Sequence, residues 1–424
     1  MTMKRETEVL VVGAGPVGMF AALELAERGV DVTLIDESWR TAARSYALAL
    51  HPRSLQLLDG VGLLDGLLAD GHRVDSVVFY EGGERRAEVA LGDVLDAFPY
   101  LIVLPQDRLE RALSARLEEK GVEVLWNRRL AGFEQRLSGG DRRVVAQLEV
   151  LGEDEVGYGV GGYVAEERVR LACDFMIGAD GHRSAVRRLL GLDFDRVGEG
   201  GDQVFAVFEQ LAPPPAPREV RVVLGEDSAN VLWPLAPDRL RWSFELTDPR
   251  GLVSQRSKGR LAVHLGGDVF PYLDHDDLVR LVAERAPWPG AAPSDGELTW
   301  SVAVRFERRL VSRFGDGRVW LAGDAAHLTG PVGVQSMNVG LREAHELAWR
   351  AAEIVESGGE DGLLVDYESE RQGEWRRLLG FGGAIEITAS APAWVARGAD
   401  RLITCLPVSG DELSAMGRRI GLAM

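Results

Sequence analysis

Residues 13–18 read Gly13-Ala14-Gly15-Pro16-Val17-Gly18, between an apolar run at 8–12 and a helix-forming run at 16–28. That pattern suits holding a pyrophosphate. The glycines allow a tight turn and close backbone approach, and the amides at the start of the helix face the phosphates. A second apolar run, 31–35, ends in Asp36 followed by Glu37, about twenty residues on, where a ribose-binding acid belongs. The competing reading is a strand–turn–helix without a ligand, and the terminal acid argues against it. This motif alone does not say which dinucleotide is bound.

Two further motifs narrow the choice. An apolar stretch at 171–177 leads into Gly178-Ala179-Asp180-Gly181, and Val319-Trp320-Leu321-Ala322 leads into Gly323-Asp324-Ala325-Ala326-His327. The latter is followed by Pro331-Val332-Gly333-Val334-Gln335-Ser336-Met337-Asn338 and a long helical run. Asp324 taken alone is equally suited to capping that helix. Together and in this order, the motifs resemble the class A flavoprotein monooxygenases, the group of para-hydroxybenzoate hydroxylase and the aromatic polyketide hydroxylases. The resemblance covers residues 8 to about 355 and is weakest from 190 to 300.

It implies FAD as the cofactor, with Gly13, Gly15, Pro16, Val17, Gly18, Asp36 and Glu37 on its nucleotide half. Asp324 and Gly323 would hold the ribitol. The loop with Pro331, Gly333, Met337 and Asn338 would lie against the isoalloxazine, and Asp180 would serve FAD and nicotinamide binding. Gln106, in Leu104-Pro105-Gln106-Asp107-Arg108, matches the family's glutamine on the phosphate and ribitol side. NADPH or NADH would dock transiently, reduce the flavin and leave. O2 would then form a C4a-hydroperoxide that transfers oxygen to an aromatic or polycyclic molecule.

The chain departs from the family twice. Where the family reads Ser-Arg-Ala before its His-Pro-Arg helix, this chain has Ser45-Tyr46-Ala47, with Arg44 earlier as the candidate substitute. The usual Gly-Gln-Gly-Met-Asn is here Val334-Gln335-Ser336-Met337-Asn338, and serine has less backbone freedom than glycine. No catalytic residue is assigned: the hard chemistry belongs to the cofactor, while the protein orients substrate and excludes water. His51, Tyr46, Tyr80 and Tyr100 are candidates for assisting deprotonation of a phenol, each with packing as its alternative role. His327 reads as structural. Tyr46, Trp233, Trp242 and Phe244 are candidate substrate contacts. Trp242 and Phe244, two apart on a strand, share one face, toward either a pocket or the core. A flavin-dependent reductase without oxygen transfer, and a flavin binder without turnover, stay open as alternatives. A halogenase does not, because its Trp-x-Trp-x-Ile-Pro signature is missing.

The elements that must position these residues alternate strand and helix from 8 to 70, as a parallel sheet with crossover helices requires. Apolar spacing predicts helices at 55–68, 107–120 and 276–286. Strands are expected at 122–126, 144–150, 219–224, 230–234 and 240–246, and turn regions at 152–162 and 213–217. The expected fold is α/β: a Rossmann-like FAD-binding domain with a parallel sheet, an inserted, mostly antiparallel β substrate domain, and C-terminal helices. The FAD-binding domain is assigned to 1–72, 98–190 and 302–366, the substrate domain to 73–97 and 191–301, and a helical segment to 367–424.

The 424 residues carry 66 acidic and 48 basic side chains, a formal net charge of −18. Such a surface disfavours nucleic acid and acidic membranes as partners. Cys173 and Cys405, the two cysteines, match no disulfide framework and no metal spacing, and the polar residues 1–7 do not read as a signal peptide. A cytoplasmic protein with no metal and no stable membrane association is expected.

Overall fold

The computed structural model describes residues 4–39, 49–95, 97–137, 142–153, 163–197, 202–212, 216–247, 263–265, 268–270, 273–288, 298–357, 362–380 and 385–424. Arg44, Tyr46 and the turn regions at 154–162 and 213–215 lie outside them. The helices are α1 (Pro16–Glu27), α2 (Pro52–Gly60), α3 (Leu64–Asp70), α4 (Gln106–Glu119) and α5 (Ala185–Leu189). They continue with α6 (His275–Arg285), α7 (Gln335–Ser357), α8 (Gly362–Leu379), α9 (Ala393–Cys405) and α10 (Asp411–Ile420).

The first sheet has a parallel centre. Val319–Leu321, Tyr163–Gly178, Glu6–Val12, Val32–Ile35 and Val124–Leu125 lie side by side in that order. Val9, Leu10 and Val11 are wholly buried, as strands covered on both faces must be. Tyr163–Gly178 runs on past this centre and pairs antiparallel with Arg143–Glu153.

The second sheet has seven strands: Leu298–Phe306, Gln203–Leu211, Arg239–Leu246, Ala229–Ala236, Glu219–Leu224, Ser76–Glu81 and Glu84–Ala90. All neighbours are antiparallel except Glu219–Leu224 beside Ser76–Glu81. Its two faces part company by residue parity. Val231, Trp233, Phe205 and Val207 join the large core shared with the parallel sheet. Leu232, Trp242, Phe244 and Phe208 form a separate core under Leu278, Leu281 and Val282 of α6.

The fold is the α/β arrangement expected. One helix is corrected: the single helix expected over 55–68 is two, α2 and α3. Gly62 adopts φ 73° between them, a left-handed conformation that stops a helix. Among the described residues, no helix is long and apolar enough to cross a membrane.

Candidate functional site

The three glycines of the first motif have different jobs. Gly13 sits at φ +105°, and a Cβ there would lie 2.3 Å from the Ala179 carbonyl oxygen. A Cβ on Gly18 would lie 1.9 Å from the carbonyl oxygen of Gly13. Packing therefore demands both. Gly15 is unlike them: its φ of −76° suits any residue, and a Cβ would meet no atom within 4 Å. Its missing side chain instead leaves the backbone open in front of α1, whose first turn has no side-chain cap. That cradle fits a pyrophosphate.

Asp36 closes the same turn. Its carboxylate accepts from the Ala14 amide at 2.7 Å and from the Ser38 amide at 2.7 Å, while Glu37 beside it is exposed. The second motif touches the first directly, with the Ala179 amide donating to the Val12 carbonyl at 2.8 Å. The Asp180 carboxylate, however, is occupied within its own segment. It accepts from Ser184 Oγ (2.5 Å) and from the amides of Ala185 (2.6 Å) and Val186 (3.1 Å), holding the start of α5. Burial pushes its pKa up, partly offset by those donors. Gln106 donates to Glu110 within α4 at 2.6 Å.

The third motif meets the first through Val17. A Cβ on Gly323 would lie 3.0 Å from Val17 Cγ2, and one on Gly340 of α7 would lie 2.7 Å from it. Asp324 is exposed among neighbours that are buried on both sides. Ser336 Oγ donates to it at 2.5 Å. So the serine that departs from the family's glycine is hydrogen-bonded to the candidate ribitol-binding acid, a link the sequence gave no sign of.

Behind the motif lies a buried polar cluster. Glu343 of α7, wholly buried, accepts from the Gly323 amide, from His327 Nε2 and from Trp375 Nε1, each at 2.8 Å. Burial alone would raise its pKa, but His327, Arg371 and the Gly323 amide outweigh that and hold it low. His327, stacked on Trp375 with ring centroids 3.7 Å apart, thus anchors the Gly-Asp turn. The cluster was missed in the sequence because Glu343 and Trp375 carry no motif.

The loop 331–338 is tied on two sides. Asn338 Oδ1 accepts from the His51 amide (2.8 Å) and Ser54 Oγ (2.7 Å), and its Nδ2 donates to the carbonyls of Ala49 (2.9 Å) and Val334 (2.7 Å). His51 Nε2 donates to the Gly333 carbonyl at 2.9 Å. Burial drops the pKa of His51 to about 3, so the ring is neutral and serves as a brace. Met337 is half-buried against the core.

The candidate substrate aromatics are not brought together. Trp242 and Phe244 stack on each other 5.0 Å apart, and Trp242 stacks on Trp288 at 5.5 Å, on the face covered by α6. Trp233 belongs to the opposite face, and all three are at most 1% exposed. Parity on neighbouring strands separates them, and close packing encloses them. Tyr80 pairs with Trp288 at 5.0 Å, and Tyr100 lies under the Arg73 guanidinium at 4.2 Å. On the face toward the large core, the half-buried apolar side chains include Leu235, Trp300 and Val302. Sequence reading passed over them because half-exposure within a strand has no sequence signature.

Residues 6–381 match the family described as the FAD binding domain. A relative, the 6-methylpretetramide 4-monooxygenase of Streptomyces rimosus, is 32% identical over 380 residues, covering 88% of this chain and 60% of the relative. The chain thus spans less than two thirds of that relative's length. Among solved structures, p-nitrophenol 4-monooxygenase from Pseudomonas putida superposes with a TM-score of 0.70 at 21% identity, covering 98% of this chain and 97% of that one. Aklavinone-11 hydroxylase, solved with FAD and aklavinone, gives a TM-score of 0.65 at 25% identity, covering 89% and 68%. With residues 6–381 matched, the chain belongs to the FAD binding domain family.

Proposed function

We propose that this protein is an FAD-dependent monooxygenase that uses NAD(P)H and O2 to hydroxylate an aromatic or polycyclic, largely apolar small molecule in the cytoplasm. The observation that carries the proposal is the convergence of Gly15, Asp36 and Asp324 with the braced loop 331–338. When bound, FAD supplies the redox chemistry, accepting hydride from NAD(P)H and activating O2.

The chain's own residues do the rest. The amides opening α1 hold the pyrophosphate, Asp36 takes ribose hydroxyls and Asp324 the ribitol. Gly333, Met337 and Asn338 set the loop facing the ring. Arg44 is assigned to the phosphates in place of the family's arginine, and Gln106 to the phosphate and ribitol side. Asp180 contributes by fixing the turn after Gly178, since its carboxylate already serves α5. The seven-stranded sheet acts as a substrate domain over the flavin, with 73–97 and 191–301 as its segments and 367–424 as a helical buttress. Leu235, Trp300 and Val302 give the substrate side an apolar, water-excluding surface. His51, wholly buried, with its Nε2–H given to Gly333 and its pKa lowered to about 3, is too weak a base to deprotonate a phenol.

The test is turnover under 18O2 with NADPH or NADH and a panel of phenols and polycyclic aromatics. One 18O atom in the product, with substrate-dependent NAD(P)H oxidation, is expected. A reduced product formed equally well without oxygen would replace this reading with the reductase. FAD binding with no NAD(P)H oxidation across the panel would leave a flavin binder.

A further inference from the structure

The loop 331–338 contains a conformational anomaly. Val334 adopts φ 51°, in the left-handed region where a β-branched residue is an outlier, and it is buried there at 5% exposure. A backbone in that state persists only where its surroundings over-determine it.

The surroundings come largely from the far end of the chain. The Gly333 amide donates to the Thr404 carbonyl at 3.0 Å. Gln335 Nε2 donates to the carbonyls of Ile403 (3.1 Å) and Leu406 (3.0 Å). A Cβ on Gly333 would lie 2.5 Å from the Thr404 oxygen and 2.9 Å from that of Leu406, so the two backbones touch. Gln335 itself is 1% exposed. Ile403 and Thr404 end α9 and Leu406 caps it; the last carbonyls of a helix lack the usual intrahelical donors, and that of Ile403 receives only a long bond, 3.4 Å, from the Leu406 amide. The loop therefore supplies donors that α9 lacks, and α9 holds the loop in return.

The same helix grips the seven-stranded sheet nearer its start. Arg397 forks onto the Glu81 carboxylate at 2.7 and 2.9 Å, Arg401 donates to the Gly225 carbonyl at 3.0 Å, and Trp394 lies 5.9 Å from Phe79. The strap is thus seated on the sheet proposed to cover the substrate.

We propose that residues 403–406 form a strap that locks the loop 331–338 with Val334 left-handed, and that Gln335 is the positioning residue through which it acts. The lock sets the loop before the flavin arrives, which lowers the ordering cost of binding. This rests on the reading of 331–338 as the loop facing the isoalloxazine.

The experiment compares wild type with Gln335→Leu, Val334→Gly, Val334→Ala and Gln335→Leu/Val334→Gly. It measures amide exchange of residues 331–338 in the apoprotein, and FAD affinity by fluorescence titration. Gln335→Leu is expected to speed exchange across the loop at least tenfold and to weaken FAD about tenfold. Val334→Gly should recover most of that FAD loss in the double variant, because glycine needs no strap to be left-handed. Val334→Gly should also melt above Val334→Ala, the reverse of the order at an ordinary buried position, and this arm holds even if Gln335→Leu does not fold. Unchanged loop exchange in Gln335→Leu, no recovery in the double variant, or Val334→Ala melting above Val334→Gly would each overturn the strap. Faster loop exchange with FAD affinity unmoved would instead overturn the placement of this loop at the flavin, leaving the strap a purely structural contact.

Discussion

The two ends of the proposed flavin site are built in opposite ways. The pyrophosphate end is local: residues 12–18 make the turn, and the acid that closes it, Asp36, follows 22 residues after Ala14. The ring end is assembled from remote segments. Residues 49–54, 333–338, 343, 375 and 403–406 all reach it, and the bond between His51 and Gly333 spans 282 positions. The local end depends on what its glycines leave out; the remote end depends on buried polar groups whose hydrogen bonds come from several distant segments at once.

The largest break should come at the local end. Gly18→Val places a side chain where even a Cβ would be 1.9 Å from the Gly13 carbonyl oxygen. The purified protein should bind FAD at least about 100-fold more weakly, read from its flavin absorbance. Gly15→Ala sharpens the point. It should leave the fold and melting temperature unchanged, since nothing lies within 4 Å, while still weakening FAD.

At the remote end, Glu343→Ala leaves His327, the Trp375 indole and the Gly323 amide without their shared acceptor. A cost of about 3–5 kcal/mol is expected in denaturant unfolding of the apoprotein. A loss under 1 kcal/mol would mean that the cluster is not what holds the Gly-Asp turn.

The brace on the loop predicts a pH signature. Burial lowers the pKa of His51 from 6.5 to about 3, so the unfolded chain binds the extra proton first. The stability this group contributes is complete above pH 6.5 and is lost as pH falls toward 3, by up to about 1.4 kcal/mol per unit. Glu343, held low in the fold, adds a loss of the same sign below the normal carboxylate range. Replacing His51 with Gln should flatten the slope between pH 6.5 and 4.5, and an unchanged slope would locate the dependence elsewhere.

The smallest effect concerns Ser336. Ser336→Gly removes the hydroxyl from Asp324 and restores the family's residue. A change in FAD affinity of about threefold or less is expected, against about tenfold for Asp324→Asn. Equal effects would show that the hydroxyl is what orients the acid.

The contrast also explains what could be read in advance. The Gly-rich turn, Asp36, Gly323 and Asp324 were legible because their spacing is set within one βαβ unit or one strand–turn. Asp180 was legible as a position but not as a contact, since only the start of α5 shows where its carboxylate goes. Trp242 and Phe244 were correctly put on one face, yet which face was undecidable until α6 settled on it. The break between α2 and α3 was overlooked because apolar spacing continues across Gly62 while its φ does not.

The sequence by itself determined the alternation that makes the parallel sheet and the tight Gly-rich turn, because steric limits on glycines and on strand–helix turns act over a few residues, and it pointed to FAD through its resemblance to a known family. Only the tertiary structure decided that Ser336 meets Asp324, that Glu343 gathers three donors, that His51 is a brace, and that Gly333 and Gln335 meet the end of α9. Those contacts join segments up to hundreds of residues apart, and burial of a polar group fixes its partner only once the chain has closed around it.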